Sequence, residues 1–120
     1  MDGRIFYIKN QLSQNLGYSW SVQEMADSVK LSLPRFKQLF KEKVGISPMA
    51  YLLEIRLEKA HELLSDPECF LQIQEIGVIC GLTNDSHFTR DFKRKFGETP
   101  SQCREQASEI HQSNSPDGQE

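Results

Sequence analysis

The sequence has little of what disulfide-stapled, membrane-spanning or metal-dependent chains rely on. Its three cysteines, Cys69, Cys80 and Cys103, are widely and irregularly spaced, with no Cys-x-x-Cys pair. That spacing argues against a disulfide framework and against a zinc site, and leaves reduced thiols packed as small apolar groups as the expectation. No apolar run approaches the roughly 18 residues a membrane span needs. The start, Met1-Asp2-Gly3-Arg4, lacks the apolar segment of a signal peptide, so a cytoplasmic chain is expected. There is no Gly-rich phosphate loop, no His-Glu-x-x-His and no Ser-His-Asp set, and His61, His87 and His111 lie far apart. No enzyme, cofactor or metal is therefore expected. A length of 120 residues leaves room for one domain or two very small ones.

Net charge is −3, which at first argues against a polyanionic partner, but the charge is unevenly distributed. Residues 98–120 hold five acids and one base, a local −4, so residues 1–97 carry +1. Within them, residues 30–43 hold five bases against one acid, and residues 84–97 hold four against two. Two basic segments on a near-neutral body decide the surface chemistry more than the total does.

Strand alternation is absent over any useful length, and helix signals run throughout. Ile5, Ile8, Leu12 and Leu16 repeat at helical spacing up to Gly17. Ser21 and Glu24 have capping-box spacing before Val22, Met25, Ala26 and Val29, which face inward. Ser32 caps the next helix, with Pro34 in its first turn. Ser47-Pro48 opens a longer helix, with Leu53, Leu57, Ala60 and Leu64 as its apolar stripe; His61 is expected to face out. Ile73, Ile76, Gly77 and Cys80 form a short helix, and Asn84-Asp85-Ser86 caps a basic one carrying Phe88, Phe92 and Phe96. Thr99-Pro100 starts a last helix to about Gln106, leaving 108–120 as a disordered polar tail.

The chain is internally duplicated. Phe40-Lys41-Glu42-Lys43-Val44-Gly45-Ile46-Ser47-Pro48 aligns with Phe92-Lys93-Arg94-Lys95-Phe96-Gly97-Glu98-Thr99-Pro100 at an offset of 52. Upstream the offset is 51, pairing Glu24 with Glu75 and Leu31 with Leu82, so the second turn holds one extra residue. The expected fold is all-α: two helix-turn-helix subdomains, homeodomain-like lobes at 1–46 and 66–107, joined by a linker helix at 47–65, about seven helices in all.

On a helical wheel, Phe36, Leu39, Phe40 and Val44 cluster on one side. The opposite side carries Pro34, Gln38 and Lys41, flanked by Arg35, Lys37 and Glu42. In the second unit Ser86, Arg90, Lys93 and Arg94 lie opposite the Phe stripe, flanked by His87 and Thr89. Cations beside groups able to read base edges suit a major groove. A linker of roughly 26 Å at 1.5 Å per residue suits two such helices in successive grooves, about 34 Å apart. An asymmetric DNA site is then expected rather than a palindrome.

The duplicated unit, the Phe-Lys-x-x-x-Gly-x-Ser/Thr-Pro joints and Gly81-Leu82-x-x-x-Ser86-His87-Phe88-x-Arg90-x-Phe92-Lys93 resemble the DNA-binding domain of AraC/XylS-type bacterial transcription regulators. The resemblance covers about residues 4–106. It implies base contacts from Pro34, Lys37 and Gln38, although the wheel puts Lys37 at the flank. In the second helix it implies Ser86, His87, Thr89 and Arg90, with Asp85 divided between base contact and helix capping. Lys41, Lys93 and Arg94 suit phosphate, and so does Arg35. Lys30 stands where the family favours Gly, Gly77 where it favours Ala, and Cys103 where Tyr is common. The family module is usually the C-terminal part of a longer regulator, so a fragment of a sensor-bearing protein is expected, monomeric as an isolated domain. Activation would also require a surface for RNA polymerase, which no residue identifies. The alternative from another class is a helical protein-interaction module whose basic faces grip an acidic partner.

Overall fold

The computed structural model describes residues 2–114, with side chains as far as residue 108. Among these residues it contains seven helices and no strand. They are α1 (Gly3–Gln14), α2 (Val22–Ser28), α3 (Leu33–Val44), α4 (Pro48–Leu64), α5 (Ile73–Ile79), α6 (Asp85–Phe96) and α7 (Pro100–Asn114). No helix of the described residues is long and apolar enough to cross a membrane. Starts and stops follow local chemistry. The Ser21 hydroxyl accepts from the Glu24 N–H and the Glu24 carboxylate accepts from the Ser21 N–H, both at 3.1 Å. Thr99 and Gln102 repeat that exchange at the head of α7, at 3.2 and 2.9 Å. At their other ends α3 and α6 stop on Gly45 (φ 97°) and Gly97 (φ 81°), whose N–H groups bond to Lys41 and Lys93 carbonyls.

The chain divides into two compact units, Met1–Arg56 and Leu57–Glu120, with the boundary inside α4. The first unit packs Ile5, Ile8 and Leu12 of α1 and Met25 and Ala26 of α2 against Phe36, Leu39 and Phe40 of α3 and Leu52 of α4. Leu52, not the expected Leu53, is the buried position there; Leu53 is half-buried. The guanidinium of Arg56 donates to the Leu16 and Tyr18 carbonyls at 2.9 and 2.8 Å, closing the segment after α1. The second unit buries Leu57, Ala60, Leu64, Ile76, Cys80, Leu82, Phe88, Phe92 and Cys103. Here Arg104 closes the connection before α5 by donating to the Leu71 and Cys69 carbonyls.

Two further expectations need correction. His61 does not face out: its ring stacks on Phe96 at 4.3 Å and on Phe92 at 5.9 Å. The last helix does not end near Gln106 but runs to Asn114, because no Gly or Pro interrupts residues 101–115. Of the expected tail 108–120, residues 115–120 lie outside the described residues.

The duplication is visible in the elements themselves. Helices α2 and α5 are offset by 51 and α3 and α6 by 52, so the extra residue sits in the second turn. Lys30 and Gly81 are equivalent at the first of these offsets, and both have left-handed backbones, φ 61° and 81°. A side chain at such a position costs about 1–2 kcal/mol, and a glycine's greater freedom when unfolded cancels part of the relief. Lys30→Gly is therefore expected to stabilise the first unit by up to about 1 kcal/mol, seen as a higher melting temperature in calorimetry. A lower melting temperature would show that this turn is not strained.

Candidate nucleic-acid interface

Each unit holds a short helix, a tight turn and a second helix whose outer arc is polar. In the first turn the Leu31 N–H reaches the Ala26 carbonyl at 3.0 Å; in the second the Leu82 N–H reaches the Gly77 carbonyl at 2.7 Å. The second turn leaves no room for a side chain at Gly77. A Cβ there would lie 2.9 Å from the Leu82 carbonyl oxygen and 3.2–3.3 Å from the Phe88 ring. Glycine thus lets α5 approach the turn and the base of α6 closely. In the first unit Ala26 fills the equivalent place, and the turn is correspondingly looser.

The start of α2 is fixed by Glu24, whose carboxylate also accepts the Tyr18 hydroxyl. The Tyr18 hydroxyl and then the Ser21 N–H hold that carboxyl below its usual range, while the same contact raises the Tyr18 phenol. A lowered folded-state value means this cap contributes fully above the ordinary glutamate range and is lost as pH falls through the folded-state value.

Helix α3 opens on Ser32, whose hydroxyl accepts from the Arg35 N–H at 3.3 Å. Phe36, Leu39 and Phe40 are buried, which turns Pro34, Arg35, Lys37, Gln38 and Lys41 to the exposed arc. The Arg35 guanidinium lies 3.5 Å from the Gln38 amide oxygen and orients it. Lys37, Gln38, Lys41 and Glu42 line a shallow open depression, so Lys37 shares this face with Gln38 and Lys41 although the wheel puts it at the flank.

Helix α6 is capped by Asn84, whose side-chain oxygen accepts from the His87 N–H at 2.9 Å. Capping therefore belongs to Asn84, and Asp85, the first helical residue, is left exposed. Phe88 and Phe92 are buried, and Ser86, His87, Thr89, Arg90, Lys93 and Arg94 are exposed. Lys95 leaves the basic face: it is half-buried, 3.8 Å from the Glu58 carboxylate and over the Phe96 ring.

Asp91, which a charge count does not set apart from other acids, is the one buried acid among the described residues, 7% exposed. One of its oxygens meets Arg90 Nε at 3.3 Å and Arg94 at 3.2 Å. The pair of guanidinium groups is thereby held at the edge of the exposed arc, where fewer rotamers remain to be lost on binding. Only its place one residue before Phe92 could have hinted at this, since that register turns it toward the core edge.

The fold and its two cationic arcs define a tandem helix-turn-helix module. A family profile described as a helix-turn-helix domain matches residues 25–106. The virulence regulon transcriptional activator VirF of Yersinia enterocolitica is 37% identical over 93 residues, covering 78% of this chain and 34% of VirF. The HTH-type transcriptional regulator ExsA of Pseudomonas aeruginosa is 31% identical over 111 residues, covering 92% of this chain and 37% of ExsA. A crystal structure of a Chromobacterium violaceum transcriptional regulator, one of the AraC-type DNA-binding domain-containing proteins, superposes with a TM-score of 0.79. It is 28% identical and covers 88% of this chain and 93% of that one. The chain belongs to the AraC-type helix-turn-helix family. It spans about a third of the length of the curated relatives it matches.

Proposed function

We propose that this chain binds double-stranded DNA at specific sequences, as the DNA-binding part of a bacterial transcription regulator. The observation that carries the proposal is the repeated outer arc of α3 and α6, where exposed cations stand beside side chains able to read bases. Pro34, Lys37 and Gln38 would meet base edges from the first unit. Ser86, His87, Thr89 and Arg90 would do so from the second. Arg35, Lys41, Lys93 and Arg94 would hold phosphates and set the register. Residues 1–46 and 66–107 then act as the two lobes, with 47–65 as their connector. Two non-identical recognition faces on one chain favour an asymmetric site read in two successive major grooves by a monomer. A regulator carrying this module would act in the cytoplasm. Transcriptional activation, as in the Yersinia relative's name, would need a further surface for RNA polymerase.

Selection from a random-sequence duplex pool tests this directly. One non-palindromic site is expected to be enriched over successive rounds. Recovery of all sequences alike would leave only unspecific charge attraction. Retention of an acidic protein with no duplex would favour the interaction-module alternative.

A further inference from the structure

We infer that the second unit contains a site for a thiophilic divalent cation of the Zn²⁺ class, formed by His61, Glu98 and Cys103. The three residues come from α4, the α6–α7 turn and the first turns of α7. One donor atom from each (an imidazole nitrogen, a carboxylate oxygen and the thiol sulfur) lies within 4.8 Å of the others. Zn²⁺ sits at about 2.3 Å from sulfur and about 2.0 Å from nitrogen or oxygen, so its tetrahedral ligands are roughly 3.3–3.6 Å apart. Donors at the outer limit of that grouping would have to close by about 1 Å to reach this spacing, which is within the range of side-chain rotation. A thiolate with an imidazole and one carboxylate selects Zn²⁺ or Co²⁺ over Mg²⁺ and Ca²⁺, which prefer all-oxygen shells.

The surroundings support the donors. Stacking on Phe96 with ring planes 23° apart fixes the His61 imidazole orientation. The Ser65 hydroxyl is 3.6 Å from the Cys103 sulfur, placed to support a bound thiolate from outside the metal shell. Cys103 is 3% exposed while His61 and Glu98 are half-exposed, so the sulfur is sheltered and the open side leaves an entry path and room for a solvent ligand. These three residues lie outside the proposed DNA-facing set, and the inference does not depend on that reading. Bound metal would tie α7 to α4 and stiffen the unit that carries α6.

Co²⁺ titration of the full reduced chain is the test. One equivalent is expected to produce thiolate-to-cobalt charge transfer and tetrahedral visible bands, both displaced by Zn²⁺. Cys69→Ser should leave them intact. Cys103→Ser should abolish the charge transfer, and His61→Gln and Glu98→Gln should each weaken binding about tenfold or more. Zn²⁺ at a hundredfold excess over its Kd should raise the melting temperature by about 10–20 °C. No thiolate band with the folded chain, or a band that survives Cys103→Ser, would overturn the site. Glu98→Gln keeps shape and needs no core rearrangement, so undiminished binding by that variant would overturn it even if Cys103→Ser fails to fold.

Discussion

Replacing Phe92 by Ala is expected to unfold the second unit while the first stays folded. Phe92 is fully buried, and its ring meets Phe96 at 4.7 Å, His61 at 5.9 Å and Phe88 at 6.0 Å. It therefore ties both ends of α6 to the part of α4 that carries His61. Truncating such a ring costs about 3–5 kcal/mol through lost transfer energy and the cavity left behind. A unit of this size holds only about 3–9 kcal/mol in total. Amide exchange in the variant should show protection lost in α5 and α6 and retained in α1 and α3. A melting temperature within about 2 °C of the parent, with α6 still protected, would mean the ring is not central to that core.

Arg90→Ala is expected to weaken binding to the selected duplex by about 5–150-fold, the loss of roughly 1–3 kcal/mol for a bidentate base contact. The variant should fold normally. Asp91 would otherwise be an orphaned buried carboxylate, but Arg94 remains 3.2 Å from the same oxygen. Competition against random-sequence DNA separates two roles. A loss confined to the selected site marks Arg90 as a base reader. An equal loss on both duplexes marks it as a phosphate clamp, and no loss on either removes it from the interface.

What the sequence disclosed, and what it hid, follows from the range of the interactions. Ser21 with Glu24, Ser32, and the Thr99-Pro100 joint act within a few residues, so they are legible as spacing and recur in the structure. The offset change from 51 to 52 likewise survives as one extra residue in the second turn. Exposure of both recognition arcs was also readable, because burying Phe36 and Phe40, or Phe88 and Phe92, leaves those side chains only one direction. The end of α7 was not readable. Its polar second half gives no apolar stripe, and helix continuation there depends on the lack of a breaker rather than on a positive signal. The surroundings of Asp91 and His61 are hidden for a different reason. Residue type suggests solvent for both, and only tertiary packing against Arg90 and Arg94, or against Phe96, reverses that. The His61, Glu98 and Cys103 grouping is hidden in the same way, since its members are far apart along the chain.

The proposal that two cationic arcs grip a DNA duplex is tested most directly by the affinity for the selected site measured across salt concentrations. If Arg35, Lys41, Lys93 and Arg94 neutralise phosphates, log K should fall linearly with log salt at a slope of about −3 to −4. A slope near zero, or no duplex binding at low salt, would contradict it.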